Sequence, residues 1–140
     1  MSVLNPINKS FCLEQLCEAN YLKLLKLIPD LLSIEDSALG TAKLKTAILI
    51  HILERSPYTL TIELNHTFDQ QHLANAAPAL QVRIYLDVKS AEVLRDYMRS
   101  DVQSVFKHEL PGKAVMDYKW RLNYFLSKWL DHCLQAQYQF

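Results

Sequence analysis

The side chains best suited to chemistry lie on one predicted β-strand. Residues 80–87 read Leu-Gln-Val-Arg-Ile-Tyr-Leu-Asp, so apolar and polar side chains alternate. Because successive side chains of a strand point to opposite faces, Arg83, Tyr85 and Asp87 should share one face. A planar, permanently charged guanidinium beside a phenol and a carboxylate is suited to binding a small anionic or polar ligand.

Two further acidic side chains can join this face from neighbouring strands. Glu63 shares the polar face of the preceding predicted strand with Thr61 and Asn65, and Glu92 lies on the following one. Arg83 could pair with Glu63 in an exposed cross-strand ion pair, which would contribute about 0.2–1 kcal/mol and need no ligand. The ligand site and the plain ion pair both stay open from sequence. The carboxylates also support an alternative hypothesis, a small hydrolase that uses carboxylates of the same face.

Other reactive residues are not spaced for catalysis or metal binding. The five histidines form no His-x-His or His-Glu-x-x-His pair, so we expect no metal. The cysteines, Cys12, Cys17 and Cys133, are odd in number and fall in helix-like segments, which is typical of buried thiols. The two glycines, Gly40 and Gly112, cannot form a nucleotide-binding loop or a Gly-x-Ser-x-Gly elbow. We therefore expect no cofactor and favour a non-enzymatic role.

The composition describes one domain and narrows the choice of partners. The chain has 140 residues, of which 50% are apolar, and fifteen Lys and Arg balance fifteen Asp and Glu. A neutral chain without a long basic cluster is not typical of nucleic-acid-binding proteins, and its apolar runs are far shorter than the ~20 residues that span a membrane. No signal-peptide pattern is present. We expect a single cytoplasmic domain over 1–140, with loose segments at 1–10 and 136–140.

The hydrophobic pattern predicts two helices and a sheet that would position the candidate face. Apolar residues recur at helical spacing from Leu13 to Ile28, just before Pro29, and a second helix is predicted from about Asp117, as N-cap, to Gln135. Four strands are predicted between them, at 46–53, 58–65, 80–87 and 91–97. This order predicts an α+β, two-layer fold, with a four-stranded, mainly antiparallel sheet and the N-terminal and C-terminal helices packed on one face.

The second predicted helix carries a wide apolar stripe and two further aromatic residues. The stripe should face the core and comprises Leu122, Phe125, Leu126, Trp129, Leu130, Cys133 and Leu134. Trp120 lies off this stripe, with Tyr124 one turn further on. These two rings could form a patch for self-association or clamp a ligand, so a homodimer is a further hypothesis.

Three stretches of the sequence form a pattern shared with a known family. They are CEANY at 17–21, VRIYLD at 82–87 with AEV at 91–93, and NYFL at 123–126 with WL at 129–130. In this order they resemble the uncharacterised bacterial domain-of-unknown-function family of YqiB-like proteins, over about residues 13–135. That family typically has His where this chain has Leu86, and Glu where it has Tyr118. The resemblance implies a bacterial cytoplasmic protein and no known activity.

We predict from these observations a small cytoplasmic module that binds an unidentified small polar or anionic ligand, or a partner protein, through the polar face of the sheet. The residues expected to form this site are Arg83, Tyr85, Asp87, Glu63 and Glu92. Neither a nucleic acid nor a membrane is expected as a partner.

Overall fold

Two α-helices, one short 3₁₀ helix and five strands follow one another along the chain in a computed structural model, which describes residues 6–67, 78–96 and 112–140. The elements are α1 (Pro6–Leu27), the 3₁₀ helix (Leu31–Ser33), β1 (Ser37–Gly40), β2 (Ala47–Arg55), β3 (Thr59–Thr67), β4 (Pro78–Tyr85), β5 (Ser90–Asp96) and α2 (Gly112–Ala136). The polar connection predicted after residue 67, most of the irregular segment at 99–116, and His72 and His108 lie outside the described residues. None of the described helices is long and apolar enough to cross a membrane.

The strands form a single antiparallel meander in which spatial order follows chain order, β1-β2-β3-β4-β5. The predicted α+β class with two helices and an antiparallel sheet is confirmed, but the sheet has five strands instead of four. The additional strand, β1, is a short edge strand with the sequence Ser-Ala-Leu-Gly. It contains no β-branched or aromatic residue, so the pattern predicts no strand there.

The core lies between the two helices and the apolar face of the sheet. The register places Ile50 opposite Leu64 and Ile62 opposite Val82, which aligns apolar side chains across neighbouring strands. Fully buried residues come from both layers: Leu24, Ile28, Ile48, Ile50, Leu60, Ile62, Val82, Ile84, Leu126 and Leu130. Each such side chain contributes about 1.5–3 kcal/mol by leaving water, so this cluster holds the helices on the sheet.

The two helices run parallel to each other. Asn20 Nδ2 donates to the carbonyl oxygen of Asn123 at 3.0 Å. One turn further on, Lys23 Nζ donates to Ser127 Oγ at 2.7 Å and pairs with Asp131 at 2.9 Å. The contacts advance in the same direction along both helices, which means that α1 and α2 start at the same end of the molecule.

Both helices begin earlier than the sequence indicated. α1 starts at Pro6, inside the segment expected to be loose, because proline is well tolerated in the first turn of a helix. α2 starts at Gly112, so Asp117 lies within the helix and is not its N-cap. The buried stripe of α2 is also narrower than predicted: Phe125 is 40% exposed and Trp129 is only partly buried against the core.

The segment after α2, which we expected to be loose, is held against the β1 side of the sheet. α2 ends where Tyr138 N–H donates to the carbonyl of Cys133, and Gln137 adopts a left-handed conformation with φ of 61°. The chain then turns back, so that Tyr138 is buried and Gln139 forms two backbone hydrogen bonds with Thr41. This turn could not be predicted from the sequence, because position 137 holds Gln, whereas glycine is usual in a left-handed conformation at the end of a helix.

Candidate functional site

A cleft of about 360 Å³ lies between the β4–β5 hairpin and α2. Its walls combine two charged side chains, one aromatic ring and several aliphatic groups, and the lining residues are Tyr85, Glu92, Val93, Leu94, Lys119 and Leu122. The volume lies within the range of small-molecule sites, about 300–1,000 Å³. Two of the five predicted site residues, Tyr85 and Glu92, therefore line a cavity.

A β-bulge in β5 shapes this cleft. The β4–β5 register shifts between Gln81 and Val82 and leaves Leu94 without a partner on β4. Successive residues of a regular strand alternate between faces, whereas a bulge redirects a side chain. The three consecutive residues Glu92–Leu94 consequently all line the cleft.

Asn123 attaches α2 to the outer edge of β5. This residue is fully buried, and its Oδ1 accepts a hydrogen bond from the backbone N–H of Val93 at 2.9 Å. Its Nδ2 donates to the carbonyl oxygen of Lys119 at 2.8 Å. The outward N–H groups of an edge strand have no neighbouring strand to bind, so this amide serves in its place. Lys119 lies one turn before Asn123 on α2 and lines the cleft.

Glu92 and Lys119 bring opposite charges together in the cleft. Lys119 Nζ lies 3.6 Å from Glu92 Oε1, with the two side chains 37% and 22% exposed. The distance is longer than an N–H···O hydrogen bond, about 2.7–3.2 Å, so this is an ion pair without a close hydrogen bond. Arg83 is the register partner of Glu92 on β4. Lys119 is therefore the cation that the structure places against the Glu92 carboxylate, and Arg83 is its register neighbour on β4.

The Arg83 side chain forms its hydrogen bond with β3. The register pairs it with Thr61 on β3, and its Nε donates to Thr61 Oγ1 at 3.2 Å. Glu63 lies one pair further along, opposite Gln81. The cross-strand partner of Arg83 on β3 is thus a hydroxyl group, whereas the sequence suggested the carboxylate of Glu63.

The other predicted site residues lie away from the cleft. Asp87 was expected to share the strand face of Tyr85, but β4 ends at Tyr85 and Asp87 lies in the following turn. There it is exposed, and its Oδ1 accepts a hydrogen bond from Val88 N–H at 3.0 Å, a common role of Asp in turns. The structure therefore brings Tyr85 and Glu92 to the cleft, places Arg83 beside Glu92 in the register, and leaves Asp87 and Glu63 outside the lining.

Sequence reasoning missed Lys119 and Leu94. One signal could have pointed to Lys119: Asn123, four residues later, interrupts the apolar stripe of α2, and a polar residue in such a stripe needs a partner. Leu94 lies in a run that suits either a strand or a helix, and nothing in the pattern marks a bulge.

The two buried thiols are poorly suited to act as nucleophiles. Burial raises the pKa of Cys17 to about 12, with the nearby Glu92 carboxylate adding to this rise and Lys119 opposing it. Burial also raises the pKa of Cys133 to about 12. Thiols that stay protonated at neutral pH are poor nucleophiles. Among residues 6–67, 78–96 and 112–140, no group of three or more His, Cys, Asp or Glu could hold a metal ion.

The sequence places this α+β fold in a family that has no assigned function. Residues 23–139 match the family described as "Protein of unknown function (DUF1249)", and the chain belongs to that family. It is similar to "Uncharacterized protein YqiB" of Escherichia coli strain K12, at 28% identity over 129 residues that cover 86% of this chain and 84% of the relative. YqiB of E. coli O6:H1 and O157:H7 gives the same values. No solved structure matches the chain significantly.

Proposed function

We propose that this chain is a cytoplasmic, non-enzymatic module that binds a small polar ligand in the cleft between β5 and α2. The observation that carries this proposal is the ion pair of Glu92 and Lys119 inside a cleft whose other walls are aromatic and aliphatic. Sites for small molecules typically combine apolar walls with a few charged groups that fix the orientation of the ligand.

Burial on the polar face of the sheet supports the cleft as the place of binding. Thr61 and Asn65, which the alternating pattern put on this face, are each only 3% exposed. Side chains so deeply buried cannot contact a partner that lies flat on the sheet. The cleft at the β5 side remains accessible to a small ligand, because its charged groups are partly exposed.

The hydrolase alternative gains no support from this cleft. Catalysis by paired carboxylates requires two carboxyl groups of the protein to contact the same substrate. Among the described residues that line the cleft, Glu92 is the one carboxylate, and it faces Lys119. Glu63 lies on β3, and Asp87 binds the backbone of its own turn.

A thermal-shift screen of wild type and a cleft-filling variant tests the proposal. Leu94→Trp places a larger side chain in the cleft without changing any charge. Leu53→Trp is a matched control on β2. Leu53 has no register partner on β3, just as Leu94 has none on β4. Leu53 is 46% exposed and lies outside the cleft lining. A compound at a hundred times its Kd stabilises by about 2.7 kcal/mol.

We expect compounds that stabilise wild type and Leu53→Trp and fail to stabilise Leu94→Trp. Equal stabilisation of Leu94→Trp by every hit would contradict binding in the cleft. A screen of metabolites, nucleotides and divalent metals without any hit would also contradict the proposal, and a partner protein or a second copy of the chain would become the better hypothesis.

A further inference from the structure

We infer that the ligand of this cleft is a small zwitterion, with an ammonium group that binds Glu92 and a carboxylate that binds Lys119. The inference rests on the proposed binding function and specifies the chemical class of its ligand. It follows from the spacing, the signs and the surroundings of the charges in the cleft.

The spacing of Glu92 and Lys119 leaves both groups able to bind a ligand. Their charged atoms are 3.6 Å apart, and both side chains are partly exposed in the same cleft. Charge-assisted hydrogen bonds between an ammonium group and a carboxylate are shorter, about 2.7–2.9 Å. A zwitterion can replace the long contact between Glu92 and Lys119 by two short ones. Its ammonium group would bind the Glu92 carboxylate, and its carboxylate would bind the Lys119 ammonium group.

The signs of the charges disfavour a ligand of one sign. A plain carboxylate in the cleft would lie beside the negative charge of Glu92. A plain amine would lie beside the positive charge of Lys119. Like charges in a partly desolvated site repel each other, and such repulsion is a common source of specificity. A ligand that carries both charges avoids both penalties.

The remaining walls describe the uncharged part of the ligand. Tyr85 and Leu94 line the cleft next to the charged pair and are partly exposed, whereas Leu122 is buried. An aliphatic or aromatic side chain would bury apolar area against them. Free amino acids with an apolar side chain combine this feature with the two charges.

Calorimetric titration with three matched probes tests the inference on the full chain. Leucine carries both charges, leucinamide lacks the carboxylate, and 4-methylpentanoate lacks the ammonium group. Phenylalanine serves as a second zwitterion with a larger side chain. We expect at least one of the two amino acids to bind, and removal of either charge to weaken binding about tenfold or more, the equivalent of about 1.4 kcal/mol.

Charge-neutral variants should remove the two preferences separately. In Lys119→Met the amino acid should lose its advantage over the amide and keep its advantage over the plain acid. In Glu92→Gln the reverse should hold. Lys128→Met is the matched control, because Lys128 is exposed on the same helix with its Nζ over the ring of Tyr124 at 5.3 Å. A variant that merely misfolds would lose all probes together.

Two results overturn the inference. One is equal affinity of wild type for a zwitterion and for either singly charged analogue, and the other is no binding of leucine or phenylalanine at millimolar concentration. If a different compound from the screen binds wild type and not Leu94→Trp, the cleft remains a binding site and only the zwitterion assignment fails. If nothing binds, both proposals fail.

Discussion

Asn123 Oδ1 accepts a hydrogen bond from the backbone N–H of Val93, so a side chain of α2 closes the outer edge of the sheet. Unpaired strand edges are sites where chains associate, and proteins often cover them with another element. Lys119, which lies one turn before Asn123 on α2, lines the cleft. The contact of Asn123 with β5 thus joins the helix that carries this lysine to the strand that carries Glu92.

Replacing Asn123 by alanine should destabilise the protein. The substitution leaves the Val93 N–H buried without an acceptor, which costs about 1–3 kcal/mol. Urea unfolding measures the cost, and hydrogen exchange of the Val93 amide should become faster. Arg121→Ala, at an exposed position of the same helix, should change stability by no more than about 0.5 kcal/mol. Unchanged exchange at Val93 would contradict the role of Asn123.

Gln137→Gly should stabilise the protein. Gln137 has φ of 61° at the end of α2, where a side chain carries a steric cost that glycine avoids. After the entropic cost of glycine is subtracted, the expected gain in unfolding free energy is about 0.5–1 kcal/mol. Gln135→Gly, two residues earlier and inside the helix, should have the opposite sign and lose about 1 kcal/mol. If both variants lose stability in thermal unfolding, the left-handed helix end is ruled out.

Gly40→Ala should weaken the packing of the segment after α2. A Cβ added at Gly40 would overlap the ring of Phe140. Because the ring is partly exposed and can move, we expect a cost of about 1 kcal/mol, the lower end for overpacking. The cost should vanish in a Phe140→Ala background, which a double-mutant cycle measures. An equal cost in both backgrounds would show that the ring is not the cause.

Stability should fall with rising pH above about 9 because of the two buried thiols. The pKa values of Cys17 and Cys133 rise from 9.0 to about 12 on folding, so between these values the unfolded chain releases protons that the folded chain keeps. The contribution of the two thiols to the free energy of unfolding is fully present below pH 9 and is lost as pH approaches 12. The slope is up to about 1.4 kcal/mol per pH unit for each thiol.

Urea unfolding between pH 9 and 10 measures this slope, and Cys133→Ala should remove about half of it.

At pH 8 a thiol reagent should label the half-buried Cys12 before denaturation and the two buried thiols only in urea. Labelling of Cys17 in the native protein as fast as in urea would contradict its burial.

The sequence predicts those elements of the fold in which apolar residues recur at regular spacing. Pro29 and the spacing of apolar residues predicted the end of α1, and strict alternation predicted β3 and β4. The short strand β1 could not be predicted, because its pairing with β2 is a tertiary effect without a local pattern. The turn at Gln137 likewise depends on the burial of Tyr138, which the local sequence does not reveal.

The candidate site could be predicted only in part for the same reason. Alternation along β4 identified Arg83 and Tyr85, and the next strand supplied Glu92. Lys119 approaches them from a helix distant in sequence, and Leu94 reaches the cleft through a bulge. Periodicity describes which residues share a face, and it carries no information on which helix crosses a particular strand.

The parallel helix pair has a consequence for how the chain folds. Asn20 and Asn123 are 103 positions apart, so their contact closes a loop that contains every strand of the sheet. Closing so long a loop in an unfolded chain costs entropy before any compensating contact exists, and contacts of this kind slow folding. Prior pairing of the strands shortens the loop that the helix contact must close. We therefore expect the two helices to pack together after the strands have paired, so that the edge of β5 is covered late in folding.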